Sequence, residues 1–307
     1  MRAAFVDANP ALRAIAERLA ASIPELELSF GSADIAPDAL AEAIAGARIA
    51  VIDHTAFTTE VARRCSGLGH VVFLGTGARS YMNPEELAAL GISVDIIKGY
   101  GDTAVAECAI GLLFAAARNF ALMDRGVRAG GWPRSEGMQL GGKTLGLVGF
   151  GGIGAEVARL ALGIGMKVLA WNRSRREMAG VEFVSIERLL AESDAVSLHL
   201  LLNDETRGFL SRQRLAAMRP GAILVNTARG GLVDEAAMVE ALRSGRLGHA
   251  ALDVFDVEPL PPGDVLATLP NATLSAHSGF RTPEANERLI EAAFAHCRRL
   301  AAAAVAP

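Results

Sequence analysis

Residues 144–154 read "TLGLVGFGGIG". An apolar run ends in a glycine turn and opens "GIGAEVARLALGIG", a segment of helix-forming residues. Glycines at 149, 151 and 154 spell G-x-G-x-x-G. Alone this hexapeptide is weak, but a strand before it and a helix after it give it meaning. In that setting Gly149 permits a tight turn, Gly151 lets the backbone approach a pyrophosphate, and Gly154 allows close helix–strand packing. The positive helix start and its free N–H groups then favour an anion. The stretch predicts an α/β sheet that binds a dinucleotide.

The same alternation continues on both sides. Before it, the strand candidates are "AAFVDA" (3–8), "ELELSF" (25–30), "RIAVID" (48–53), "HVVFLG" (70–75) and "ISVDII" (92–97). Helical stretches such as "PALRAIAERLAA" separate them, which implies βαβ units and a parallel sheet. From Thr144 onward six candidates follow: 144–149, 167–171, 195–200, 222–227, 250–255 and 272–277. Six strands separated by helices predict a doubly wound domain. The apolar runs are continuous rather than alternating, as in sheets covered on both faces. "GYGD" (99–102) reads as a hinge. The apolar segment 104–117 reads as a buried helix, and "RAGGWPRSEGMQLGGK" has the length of a loop that links domains. The segment after Pro283 reads as one long helix.

A chain of 307 residues with 51% hydrophobic content can build two domains. Its formal net charge of −4 offers no positive field for nucleic acid or an anionic membrane, so neither is expected as a partner. Cys65, Cys108 and Cys297 are widely spaced and show no metal-ligand pattern, so no metal is expected. They suit a reducing cytosol, and a cytoplasmic location is expected. The opening "MRAAFVDANP" has too short an apolar run for a signal peptide, and 104–117 is too short to span a bilayer.

At the end of the second strand after the glycine turn stands "AWNRSRR" (170–176). An NAD site places an acidic residue about 20 positions beyond the glycines, where it binds the ribose 2′-hydroxyl. Here that place holds Asn172, followed by Arg173, Ser174, Arg175 and Arg176. Arginine binds a 2′-phosphate bidentately, and a serine hydroxyl adds a donor. The cluster therefore predicts NADP. The alternative is an NAD site with a solvated basic turn, in which Glu177 reaches the ribose.

Three later segments each follow a strand candidate: "NTARGGLVDE" (226–235), "ALDVFDVEPLP" (251–261) and "LSAHSGF" (274–280). Ligands bind outside such strand ends, and these supply an arginine, a carboxylate and a histidine. Together with "GISVDIIKGYGDTAVAE", "LGGKTLGLVGFGGIG" and "LLNDETRGFL" they run in order over most of the chain. In these motifs the chain resembles the D-isomer-specific 2-hydroxyacid dehydrogenase family.

The resemblance implies two doubly wound parallel-sheet domains, with a Rossmann NAD(P)-binding domain (101–282) inserted into a flavodoxin-like substrate domain (1–100 plus 283–307). It implies a homodimer acting on a small 2-keto or 2-hydroxy acid. Arg229 would bind the substrate carboxylate and polarise the keto oxygen. His277 would be the acid–base group, and Glu258 would pair with it. Such a set meets the charge that develops on a keto oxygen during hydride transfer. The turn "GTGAR", with Thr76, Gly77 and Arg79, would hold the substrate carboxylate, although a structural ion pair is the competing role for Arg79. Around the cofactor, Gly152 and Ile153 would join the three glycines, and Asn172 to Arg175 would take the adenosine end. Val105, His199, Thr206, Thr227 and Gly279 would line the site, with Asp253 on the nicotinamide carboxamide. His54 is a weaker candidate, and His70, His249 and His296 read as structural. The family's usual prolines are replaced by Ala276 and Leu201, and Arg79 and Ser80 stand where the substrate loop is usually acidic or amide. The last change leaves substrate identity open. NADP-linked reduction of glyoxylate or hydroxypyruvate is the first expectation. The alternatives are an NAD enzyme for a bulkier acid and a dinucleotide-sensing corepressor.

Overall fold

The computed structural model describes residues 1–303. The chain divides into two compact units. One runs from Met1 to Gly101 and takes up the chain again from Arg281; the other is Asp102–Phe280.

The first unit begins β1 (Arg2–Phe5), α1 (Pro10–Ala20), β2 (Glu27–Phe30), α2 (Leu40–Ala43) and β3 (Ile49–Ile52). It continues with α3 (Thr59–Arg64), β4 (His70–Phe73), α4 (Pro84–Ala89) and β5 (Ser93–Ile96). All pairings are parallel, in the order β2-β1-β3-β4-β5. This is the flavodoxin-like order. The central strand β3, "IAVI", is buried along its whole length, as a sheet covered on both faces requires. α1 starts where Asn9 accepts the N–H groups of Ala11 and Leu12 and Pro10 fixes the first φ.

The second unit opens with α5 (Asp102–Ala117), α6 (Phe120–Arg128), β6 (Thr144–Val148), α7 (Gly152–Gly163), β7 (Lys167–Trp171) and β8 (Val181–Phe183). Then come α8 (Ile186–Glu192), β9 (Ala195–Leu198), α9 (Arg212–Ala217), β10 (Ala222–Asn226), α10 (Glu235–Arg243), β11 (Leu247–Leu252) and β12 (Ala272–Leu274). Its parallel sheet has the order β12-β11-β10-β9-β6-β7-β8. From β6 the chain runs outward through β7 to β8, then returns to the far side of β6 at β9. The strand order therefore reverses between β6 and β9, at the carboxyl ends where α/β sheets bind ligands. Finally α11 (Pro283–Ala303) rejoins the first unit, burying Leu289, Ile290, Ala293, Phe294 and Cys297 with Phe5, Ile49, Val51 and Val72.

The structure departs from the sequence reading in four places. A seventh strand, β8, stands at the sheet edge; three residues with a half-exposed pattern carry no apolar run to announce it. Several strands stop short of the predicted ends, at Leu198, Asn226 and Leu274, because the following residues turn out toward the site. The apolar helix is followed by a separate helix, α6, bent 65° from it. Asn119 makes the break at φ 52, a conformation asparagine tolerates, with its amide on Ser135 Oγ and the Glu136 carbonyl. The Gly-rich loop lies inside the second unit and links no domains; the chain passes between units at Gly101–Asp102, within the expected hinge, and at Phe280–Arg281. Among the described residues no single helix is long and apolar enough to cross a membrane.

Candidate active site

The glycine turn sits at the end of β6, beside the point where the strand order reverses. Gly149 has φ 97, and a Cβ there would stand 2.6 Å from the His199 carbonyl oxygen. At Gly154 a Cβ would lie 2.5 Å from the Gly149 oxygen, so α7 starts pressed against the strand end. Gly151 differs: a Cβ there would meet nothing within 4 Å, so its face is open. No side chain caps α7 by a hydrogen bond, which leaves its first N–H groups to a ligand. Just past β10, the Thr227 hydroxyl is buried without a hydrogen-bond partner. An open glycine face, an uncapped helix start and an orphaned hydroxyl fit a bound dinucleotide.

The arginine cluster begins at the end of β7. Asn172 Oδ1 accepts the Phe150 N–H at 3.0 Å, and its amide donates to the Ser174 carbonyl and hydroxyl at 2.9 and 3.0 Å. One side chain thus ties the glycine turn to the basic turn. Arg173 pairs with Glu205 at 2.9 Å and Arg175 with Glu177 at 2.8 Å, all four well exposed. Exposed pairs of this kind are weak. They hold the arginines without committing them.

Strands β10, β11 and β12 are neighbours, with Asn226 opposite Leu252 and Leu252 opposite Leu274. Their ends set the three later segments side by side. Asn226 is buried; its amide accepts the Ala228 N–H at 3.0 Å and donates to the Arg229 carbonyl at 2.9 Å. That staple shapes the turn bearing Arg229, whose guanidinium donates to the Ala228 carbonyl at 2.6 Å. Beyond β11, Glu258 Oε1 accepts the Phe255 N–H at 2.8 Å while Oε2 lies 2.6 Å from His277 Nδ1. The carboxylate fixes the ring through Nδ1, so Nε2 is the nitrogen left for a substrate.

His277 itself stands at φ 48, an unusual backbone for a side chain of its size. Asp253 enforces it. The His277 N–H donates to the Asp253 carbonyl at 2.7 Å. The Asp253 carboxylate, 1% exposed, accepts from the Ser275 hydroxyl (2.6 Å), the Ser278 N–H (3.0 Å) and the Gly279 N–H (2.8 Å). Burying that charge is tolerable because every hydrogen bond lands on the same loop. Neither the Asn226 staple nor the Asp253 clamp was assigned from the sequence. The only local sign was a short polar residue where each strand ends.

The remaining candidates fall in several environments. His199 is half-buried, its Nε2 2.9 Å from Ser197 Oγ, and burial depresses its pKa to about 4. The Thr206 hydroxyl donates to the Leu201 carbonyl at 2.6 Å and accepts the Asn203 N–H, which folds its own loop. Val105 and Ile153 are partly buried, on α5 and in the first turn of α7. Thr76, Gly77 and Arg79 lie in the first unit, in the turn after β4, where the Arg79 guanidinium forks the Glu85 carboxylate. His54, also in the first unit, follows β3. Its Nδ1 is 3.2 Å from Asp53, and that bond raises its pKa against the opposing effect of burial. Buried Asp7 shapes that turn by accepting the N–H groups of Asp53, His54 and Thr55, each at 2.8 Å. His70 bonds Ser93, His249 bonds Thr273, and His296 pairs with Asp95. Among the described residues no group of His, Cys, Asp or Glu is placed to hold a metal ion.

A histidine braced by a carboxylate, in the same sheet-end layer as a dinucleotide turn, is the equipment of a nicotinamide-dependent oxidoreductase. The chain is similar to known dehydrogenases and reductases. The family pattern for the D-isomer specific 2-hydroxyacid dehydrogenase, NAD binding domain, matches residues 110–279. A hydroxypyruvate reductase of Thermotoga maritima is 37% identical over 270 residues, 86% of this chain and 88% of that one. A glyoxylate reductase of Korarchaeum cryptofilum is 43% identical over 217 residues, 67% of this chain and 65% of that one. The crystal structure of the TT0316 protein from Thermus thermophilus superposes with a TM-score of 0.84 at 38% identity, covering 95% of this chain and 94% of that one. The chain belongs to the D-isomer specific 2-hydroxyacid dehydrogenases.

Proposed function

We propose that this enzyme reduces small 2-keto acids of the glyoxylate and hydroxypyruvate type to D-2-hydroxy acids, with NADPH as its preferred donor. Two of the relatives above bear those substrates in their names. Within the general 2-hydroxyacid chemistry of the family, the chain's own residues divide the work. A nicotinamide dinucleotide held at the glycine turn would supply the hydride for the keto carbon. Arg229 binds the substrate carboxylate and draws charge toward the keto oxygen. As the C=O π electrons move onto that oxygen, His277 delivers the Nε2 proton and the hydroxyl forms. Glu258 stabilises the imidazolium before transfer and holds the ring in aim afterwards.

The choice of NADPH rests on one observation: the end of β7 presents no carboxylate to a ribose 2′-hydroxyl. Asn172 is spent on Phe150 and Ser174, and the three residues after it, Arg173, Ser174 and Arg175, offer donors rather than acceptors of charge. A 2′-phosphate entering this turn would exchange weak exposed pairs for charge-assisted bonds to Arg173 and Ser174. Initial rates with glyoxylate and hydroxypyruvate test this directly. A higher kcat/KM with NADPH than NADH is expected, with Arg173→Ala lowering that for NADPH about tenfold or more while sparing NADH. A preference for NADH in the native enzyme would reverse the assignment.

A homodimer in the cytoplasm completes the proposal. The three thiols are free, which suits a reducing compartment. Phe120, Val127 and Trp132, on and just after α6, are 51%, 50% and 76% exposed, which offers apolar side chains for a second copy to cover.

A further inference from the structure

Gly152 begins α7 without a positive φ, so its backbone does not call for glycine. What a side chain there would meet is Asp102. A Cβ built on Gly152 would stand 1.8 Å from Asp102 Oδ2 and 2.7 Å from its Cγ. The missing side chain at 152 and the carboxylate at 102 occupy one space. Asp102 is the first residue of α5 and is half-buried, and no hydrogen bond or ion pair among the described residues neutralises it. A second carboxylate, Glu156, lies one turn along α7, paired with Arg159 at 2.6 Å. Burial, with Glu156 adding to it, pushes the Asp102 carboxyl above its ordinary range. The chain therefore holds an acid with no side-chain partner against the first turn of α7, where it shares the positive helix start with any phosphate bound there.

We propose that Asp102 sets dinucleotide affinity in this enzyme, by keeping a negative charge beside the pyrophosphate position so that the cofactor binds loosely and leaves readily. This rests on the glycine turn being the dinucleotide site. The repulsion acts on the pyrophosphate, so it does not discriminate between oxidised and reduced forms, or between NAD and NADP. The competing role, a carboxylate that accepts a ribose hydroxyl and tightens binding, predicts the opposite sign.

Calorimetric titration of the apoprotein with NADPH, NADH and ADP-ribose separates these roles, since ADP-ribose carries the pyrophosphate without nicotinamide. Asp102→Asn keeps the shape and removes the charge; Asp102→Ser removes both and guards against a defect peculiar to asparagine. Both variants are expected to lower Kd for all three ligands, by about fivefold to twentyfold at low salt and less at high salt. Unchanged or higher Kd values in both folded variants would overturn the role of Asp102 and leave the dinucleotide site standing. If neither native protein nor variants bound any of the three, the site assignment itself would fall and this inference with it.

Discussion

At φ 48, with a carboxylate 2.6 Å from Nδ1, His277 is held more tightly than its half-exposed position requires. The chemistry assigned to it makes His277→Asn lose about a hundredfold or more in kcat, while dinucleotide Kd stays unchanged by titration. Glu258→Gln should lose about a hundredfold as well, since an amide can neither stabilise an imidazolium nor fix its tautomer. A variant histidine with near-native kcat would remove it from the reaction. The cysteines allow a check of a different kind. Burial pushes the Cys108 thiol up to about 11 and Cys297 up to about 12, and raises Cys65. Thiolate is the reactive form, so alkylation of the native protein near pH 7.5 should be slow at all three and complete only after denaturation. The pairing of His277 with Glu258 was legible at this scale because both follow a strand in a recognisable motif. Asp102 was not, because its meaning depends on a glycine 50 positions away that only folding brings near it.

Strand ends do most of the positioning. β10, β11 and β12 each finish in a residue or two of polar side chain that turns the backbone and bonds it: Asn226, Asp253 and Ser275. Asp253→Ala strips two N–H groups and a hydroxyl of their acceptor and should cost roughly 2–4 kcal/mol, read as a lower midpoint in urea with unchanged slope. Two histidines in this sheet have a pH signature. Burial depresses both His199, just past β9, and His249, in β11, to about 4. Between pH 6.5 and 4 the unfolded chain binds protons that the folded chain refuses, so stability falls as pH drops through that window. Buried His249 removes on the order of 2 kcal/mol by pH 5, and His199, half-buried, removes less. The Tm should fall between pH 7 and 5, and less steeply in His249→Gln; identical slopes would contradict the assignment. The strands themselves were visible as apolar runs, and their cores were placed well. Their last residues were not, because a run of apolar letters does not show where the backbone leaves the sheet. β8 and α6 escaped for related reasons: one is a short edge strand, the other follows a break made by Asn119 in what reads as one apolar helix.

Across the whole molecule, two parallel sheets are threaded by one chain that leaves the first unit at Gly101 and returns at Arg281. The alternation of strands and helices makes both sheets legible, and the resemblance supplied the insertion, which periodicity does not carry. α11 makes the return binding: Phe294 is 2% exposed in a core it shares with β1 and β3. Phe294→Ala should cost about 3–5 kcal/mol by equilibrium unfolding, showing that the distant segment is integral to the first unit. A loss below about 1 kcal/mol would show that α11 only lies on it. Hydride transfer to a 2-keto acid, with His277, Glu258 and Arg229 handling charge and proton, is the claim to which these details lead. It is met most directly by incubating the protein with NADPH and hydroxypyruvate and determining the configuration of the glycerate formed. D-glycerate, lost in His277→Asn, is the result predicted; L-glycerate, or no turnover with either glyoxylate or hydroxypyruvate, would contradict it.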